Sequence, residues 1–198
     1  MLLLLLALAY PLDARAFQVL QRDSGPENYY RVVDSSGQVF IRSVYQPPLQ
    51  SVTLFMPLDD RFRRGMKRLH WRWRALELPR GGNECAENRG DSAAAVYVTW
   101  KRGLKWYSLK LVWSADAPRG ATCNVIRNPF VTSDSVVLES GRSGSRWVEE
   151  DIDIDALFRA HFGDDVPELQ GIGLLTDGDE THSLSAADYA AFTLYDAR

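Results

Sequence analysis

No apolar run in the chain is long enough to cross a bilayer, which takes about 20 residues. The leading run, Leu2 to Ala9, has eight. There is no polybasic segment, and a formal charge of −3 leaves no electrostatic footprint for nucleic acid. Cysteine and histidine are scarce, at two and three. Neither Cys85 nor Cys123 belongs to a C-x-x-C pair and no histidine lies close to either, which argues against zinc. Gly141-Arg142-Ser143-Gly144-Ser145 lacks the final glycine of a G-x-S-x-G elbow. H-E-x-x-H, P-loop and G-x-G-x-x-G patterns are missing too, which sets aside zincin and nucleotide-binding chemistry. There is no N-x-S/T sequon and no internal repeat.

What is present begins with a leader. The apolar run is followed by Pro11 and by Ala14-Arg15-Ala16, an A-x-A pattern of the kind cleaved by signal peptidase. Residues 1–16 are therefore expected to be a signal peptide and residues 17–198 a single exported domain, periplasmic or secreted. In such an oxidising compartment Cys85 and Cys123 are expected to form a disulfide. The remaining composition, 45% hydrophobic and 25% charged, is that of an ordinary globular domain.

The pattern is mostly that of strands. Tyr29 to Val33 and Gln38 to Arg42 flank Asp34-Ser35-Ser36-Gly37, a hairpin signal. Pro47-Pro48 breaks the chain, and Ser51 to Met56 reads as a strand. Leu69 to Leu76 alternates strictly, with Leu69, Trp71, Trp73 and Ala75 on one face and His70, Arg72 and Arg74 on the other. Ala94 to Trp100 and Ser108 to Trp113 read as a hairpin joined by residues 101–105, with Cys85 and Cys123 at its open end. Asp116 to Asp134 reads as a long polar connection, and Val136 to Glu139 as a short strand ended by Ser140-Gly141-Arg142-Ser143-Gly144. Arg146 to Ile154 is a strand. Asp155 is the expected N-cap of a helix over Ala156 to Phe162, stopped by Gly163. Leu169 to Leu175 and Tyr189 to Tyr195 complete the set. Nine or so strands and one short helix predict a mainly β fold, an antiparallel sandwich of jelly-roll type.

Ionised groups sit in the middle of these strands, which suggests a polar concave surface. The candidate binding residues are Arg72, Arg74, Lys110, Glu149, Asp177 and Asp179. Glu149, Asp151 and Asp153 share one face of their strand, and Glu150 shares the other with Val148 and Ile152. An inward Glu150 needs a partner, for which Arg72, Arg74 or Lys110 are the candidates. The turn Thr176-Asp177-Gly178-Asp179-Glu180-Thr181 either is a solvated acidic turn or shares a hard cation such as Ca²⁺, which takes oxygen ligands. No other cofactor is expected.

Six segments, taken in order, carry a resemblance. They are Leu69-His70-Trp71-Arg72-Trp73-Arg74, Gly90-Asp91-Ser92-Ala93-Ala94-Ala95-Val96-Tyr97-Val98, Ser108-Leu109-Lys110-Leu111-Val112-Trp113, Trp147-Val148-Glu149-Glu150, His161-Phe162-Gly163 and Gly171-Ile172-Gly173-Leu174-Leu175-Thr176-Asp177-Gly178-Asp179. Together they resemble the bacterial domain-of-unknown-function family 3047, over roughly Phe17 to Tyr195. The resemblance implies an exported, predominantly β protein. The chain departs from the family's pattern at Ser92, Glu180 and Ala190-Ala191. Three functional readings follow from the residues. The first is a non-catalytic module binding a carbohydrate or other envelope polymer, with aromatic faces and charged partners. The second is a polysaccharide hydrolase or lyase using Glu149, Glu150 and Asp151. The third is a structural or protein-interaction module in which the strand charges are internal ion pairs.

Overall fold

The computed structural model describes residues 8–141 and 144–196. Residues 1–7 of the expected leader and residues 142–143 of the expected turn lie outside the described residues. In chain order the strands are β1 (Ala9–Pro11), β2 (Gln18–Val19), β3 (Tyr30–Ser35), β4 (Gln38–Tyr45), β5 (Thr53–Pro57), β6 (Arg68–Glu77), β7 (Ala94–Arg102), β8 (Lys105–Ser114), β9 (Thr122–Arg127), β10 (Val131–Ser140) and β11 (Val148–Asp153). The helix α1 (Ile154–Phe162) follows, then β12 (Glu168–Leu175) and β13 (Ser185–Tyr195). Six strands form one sheet in the order β11-β6-β13-β4-β3, with β1 on the free edge of β13. Seven form the other, in the order β2-β5-β12-β7-β8-β10-β9. The pairs are antiparallel apart from β8 with β10. The fold is thus the mainly β sandwich that the alternation predicts.

Alternation decides what lies between the sheets. Leu69, Trp71, Trp73 and Ala75 of β6 are fully buried, as are Val96 and Val98 of β7, Leu109 and Leu111 of β8, and Ile172 and Leu174 of β12. Trp73 of one sheet meets Trp113 of the other edge-on, ring centroids 5.6 Å apart, a favoured aromatic geometry. The intervening residues of each strand point outward and form the two outer faces.

Several boundaries differ from the sequence reading. Residues 116–134 are not a plain connection, because they contain β9 and the start of β10. β9 is an edge strand held by backbone pairing to β10, so it carries no apolar alternation to read. β10 hides because two of its buried positions are Thr132 and Asp134; Asp134 is satisfied by Arg127 at 2.6 Å and His161 at 2.8 Å. The loop between β7 and β8 shrinks to Gly103-Leu104, since Arg102 and Lys105 still pair. Asp153, not Asp155, caps α1, its carboxylate accepting from the Ala156 amide at 2.8 Å. Gly163 ends the helix at a φ of 62°, as expected.

Cys85 and Cys123 form the expected disulfide, with Cα atoms 5.0 Å apart. It ties the loop over residues 79–92 to β9. Ahead of the sandwich, Ala9 pairs with Tyr195, and Leu12 is buried with its amide donating to the Phe192 carbonyl at 2.9 Å. Among the described residues no helix is long and apolar enough to cross a membrane.

Candidate functional site

The outer face of the seven-stranded sheet carries a groove. One register row crosses the whole sheet through Gln18, Phe55, Gly173, Tyr97, Lys110, Ser135 and Cys123. The next row runs Pro57, Gly171, Thr99, Ser108, Ser133 and Ile126. The middle of the second row is built from small residues, and β12 contributes no side chain to either row. At Gly171 a Cβ would lie 2.4 Å from the Phe55 ring, so the glycine lets that ring lean across the strand. At Gly173 a Cβ would lie 3.2 Å from that of Tyr97. The result is a cavity of about 510 Å³ bounded by Phe55, Tyr97 and Trp106, with Thr53, Thr99, Ser108 and Asp23 also on its wall. Trp106 is partly exposed, and the Lys101 ammonium lies 4.6 Å from its ring centroid.

Tyr97 also borders a second cavity, of about 490 Å³, so the groove continues across β8 toward the loops. There its lining turns polar: Lys110, Glu87, Asp177 and Glu180, with Ser133 and Ser135 on the floor. Two loops build this end by exchanging hydrogen bonds. Asp177 Oδ1 accepts from the Ser92 amide at 2.7 Å, and Asp91 Oδ2 accepts from the Thr181 amide at 2.7 Å and its hydroxyl at 2.6 Å. Glu180 Oε2 accepts from the Gly90 amide at 2.6 Å. Asp179 Oδ2 accepts from the Ser51 hydroxyl at 2.6 Å.

Electrostatics at this end are unusual. Asp91, Asp177 and Asp179 each offer a carboxylate oxygen, all within 4.8 Å of one another. The donor set is oxygen only, the chemistry a calcium ion takes. Burial pushes the Asp177 carboxyl up to about 7; Lys110 opposes the shift, and Asp91 and Glu84 add to it. Glu84 is fully buried, and among the described residues no donor meets either of its oxygens in good hydrogen-bond geometry, although the Ser92 and Ser114 side chains lie beside it. Burial raises its pKa, and Lys110 lowers it. Burial works against the Lys110 ammonium as well, but Tyr97, Asp177, Glu84 and Asp91 together raise its pKa above that of an ordinary lysine.

The structure divides the sequence-predicted residues between opposite sides of the sandwich. Lys110 and Asp177 line the polar end of the groove, and Asp179 stands beside Asp177. Arg72, Arg74 and Glu149 lie on the outer face of the six-stranded sheet. There Arg74 donates to Asp188 Oδ2 at 2.6 and 2.8 Å, and Arg42 binds the same carboxylate at 2.7 and 2.8 Å. Asp188 has no exposure at all. Arg72 stands opposite Glu149 with a 4.0 Å approach, and Trp147 packs over both Arg72 and Arg74. Glu150 does point inward, but its partner is the Trp73 indole, 3.2 Å away. The three cations expected to serve it face outward, so they are out of its reach.

Sequence reasoning missed Phe55, Tyr97 and Trp106 as groove residues, Asp91 as the neighbour of Asp177, and Asp188 as the centre of the ion cluster; Glu180 it named only within the acidic turn. One legible signal was the pair of glycines two apart in a strand, which marks a face left bare. Another was Asp91 itself, which stands in one of the segments that carry the resemblance.

The comparisons agree with that resemblance. The family model described as "Protein of unknown function (DUF3047)" matches residues 18–193. The chain belongs to DUF3047. None of the curated proteins matches this DUF3047 chain in sequence. Among solved structures it is similar to the family 30 carbohydrate-binding module of the cellulosomal cellulase Cel9D-Cel44B of Clostridium thermocellum, at 11% identity, 95% and 91% coverage of the two chains, and a TM-score of 0.45. The xyloglucanase domain of NopAA from Sinorhizobium fredii is similar at 9% identity, 93% and 96% coverage and a TM-score of 0.47. The endoglucanase Cel12A from Rhodothermus marinus gives 10% identity, 96% and 97% coverage and 0.46.

Proposed function

We propose that this DUF3047 protein is a non-catalytic carbohydrate-binding module that holds a polysaccharide along the outer face of its seven-stranded sheet. The observation that carries the reading is the aromatic trough. Phe55, Tyr97 and Trp106 surround a floor of Thr99, Ser108, Gly171 and Gly173. Sugar rings present apolar C–H faces that pack on aromatic side chains, while their hydroxyls need polar partners at the edges. Thr99, Ser108, Lys110 and Asp177 would supply those partners. The trough also crosses the strands, so a linear polymer can enter at one side and leave at the other.

Two features weigh against hydrolysis by the strand carboxylates. Glu149 faces Arg72, Glu150 is bonded to Trp73, and Asp151 pairs with Arg68 at 2.8 Å. All three belong to β11, an edge strand of the opposite sheet. The Arg42–Asp188–Arg74 cluster supports internal ion pairing on that face instead. The disulfide supports a periplasmic or secreted location.

The test is affinity electrophoresis and calorimetry of the protein with neutral β-glucans and xylans. Trp106→Ala and Tyr97→Ala should each weaken binding by about tenfold or more, the loss typical of a central aromatic contact. Unchanged affinity in both variants, with the fold intact by circular dichroism, would remove the trough from the argument.

A further inference from the structure

The groove is not electrostatically uniform. Of the described side chains lining its polar cavity, Glu87, Asp177 and Glu180 are acidic and Lys110 is basic. Asp91 and Asp179 stand beside Asp177. The Lys110 ammonium donates one of its three hydrogens to the Gly90 carbonyl at 3.3 Å, and negative charges surround it. A cleft with one sign of charge and low-dielectric walls concentrates ions of the opposite sign.

The oxygens are not equally occupied. Asp91 and Asp179 are engaged by donors from Thr181 and Ser51 and serve to join loops. Asp177 is only 7% exposed, yet it lines the cavity and its Oδ2 accepts no hydrogen bond among the described residues. A carboxylate this buried is costly unless a donor or cation reaches it. Glu180 offers a second acceptor on the same wall; it is exposed, its amide donates to Asp91, and among the described residues its side chain is held through Oε2.

We infer that the polar end of the groove receives the ammonium group of an amino sugar, so that the polysaccharide held here carries free amines. The inference rests on the reading of the groove as a glycan site and names the class of glycan. Tyr97 links the two ends: it borders the aromatic trough and pairs directly with Lys110 on the next strand. A sugar packed against Tyr97 therefore has its edge beside Asp177 and Glu180. An amine on that edge donates to both carboxylates, and a neighbouring hydroxyl accepts from Lys110.

The test uses calorimetry of the whole protein with short β-linked oligomers of glucosamine, N-acetylglucosamine and glucose. These differ only in carrying an ammonium, an acetamide or a hydroxyl at the second carbon. The glucosamine oligomer should bind about tenfold or more tightly than the glucose oligomer at low salt, and the advantage should shrink as salt rises. In Asp177→Asn the ratio of the two affinities should fall to about threefold or less. The exposed Glu180→Gln provides a second variant should Asp177→Asn fail to fold. Binding of all three oligomers without preference overturns the inference and leaves the groove reading standing. Binding of none, by a folded protein, overturns both. A thermal shift with CaCl₂ that EDTA reverses, with no preference for the amine, assigns the carboxylates to a metal ion and overturns the inference as well.

Discussion

Asp177, in the loop after β12, and Asp188, on the outer face of the six-stranded sheet, are both buried aspartates, yet their partners differ. Asp188 is gripped by two guanidiniums, Arg42 and Arg74. Asp188→Asn leaves both cations without their charge partner and should destabilise the fold by about 3 kcal/mol, measured by urea unfolding. Arg42→Ala should cost less, because Arg74 still holds the carboxylate. Asp177 has one amide and one hydroxyl from Ser92, with Lys110 nearby, and burial lifts its pKa to about 7. An unfolded aspartate titrates near pH ~3.9, so between those values the folded state holds a proton that the unfolded state has lost. Stability therefore rises as pH falls through about 7, and the ionised side chain weakens the fold above it. Buried Glu84 acts in the same direction. Unfolding midpoints should be higher at about pH 5.5 than at about pH 8, and Asp177→Asn should flatten that difference. An unchanged pH profile in the variant would show that Asp177 does not carry it.

At the scale of elements, β12 shapes the groove by what it leaves out. Its inward residues, Ile172 and Leu174, are fully buried, while Gly171 and Gly173 present nothing to the outer face. Gly173→Val should fill the trough beside Tyr97 and reduce glycan binding by about tenfold; the thermal midpoint reports how far the neighbours have had to shift. Gly171→Ala is the more disruptive change, since its Cβ would meet the Met56 carbonyl and the Phe55 ring at 2.4 Å. The loop over residues 79–92 is the other shaping element. It carries Glu87 and Gly90 to the cavity wall and is tied to β9 through Cys85 and Cys123. Replacing both cysteines by serine should lower stability by about 2–4 kcal/mol, read by chemical denaturation, and should weaken binding at the polar end more than stacking in the trough.

At the scale of the whole molecule, two sheets share one core and turn two chemically different faces to solvent. One face is an ion-paired surface around Asp188, and the other is the groove. The segment before β2 bears on the same whole. β1 pairs with the last residues of β13, beyond the reach of β4, and Leu12 enters the core. A protein beginning at Phe17 should therefore be less stable than one beginning at Leu8, by about 1.5–3 kcal/mol for the lost leucine burial. Thermal unfolding of the two forms checks this, and mass spectrometry of the protein purified from an expressing bacterium tests whether it is cleaved after Ala16 as expected.

The β class, the inner face of β6, the hairpin of β7 and β8, the glycine stop of α1 and the disulfide were all legible from residue order. Each follows from a local rule: a period of two, a turn residue, or a pair of cysteines at one end of a hairpin. β9 and β10 were not legible, because an edge strand needs no apolar face and a buried Asp134 can be satisfied by Arg127 and His161 from elsewhere in the chain. The candidate charges were recognised singly, but their grouping was not. Which strands become neighbours is settled by the packing of Trp71, Trp73, Trp100 and Trp113 in one core and by long-range pairing. That packing sent Arg72, Arg74 and Glu149 to one face and Lys110, Asp177 and Asp179 to the other. It also aligned Phe55, Gly173, Tyr97 and Lys110 from four separate strands into a single row, a juxtaposition that no stretch of sequence encodes locally.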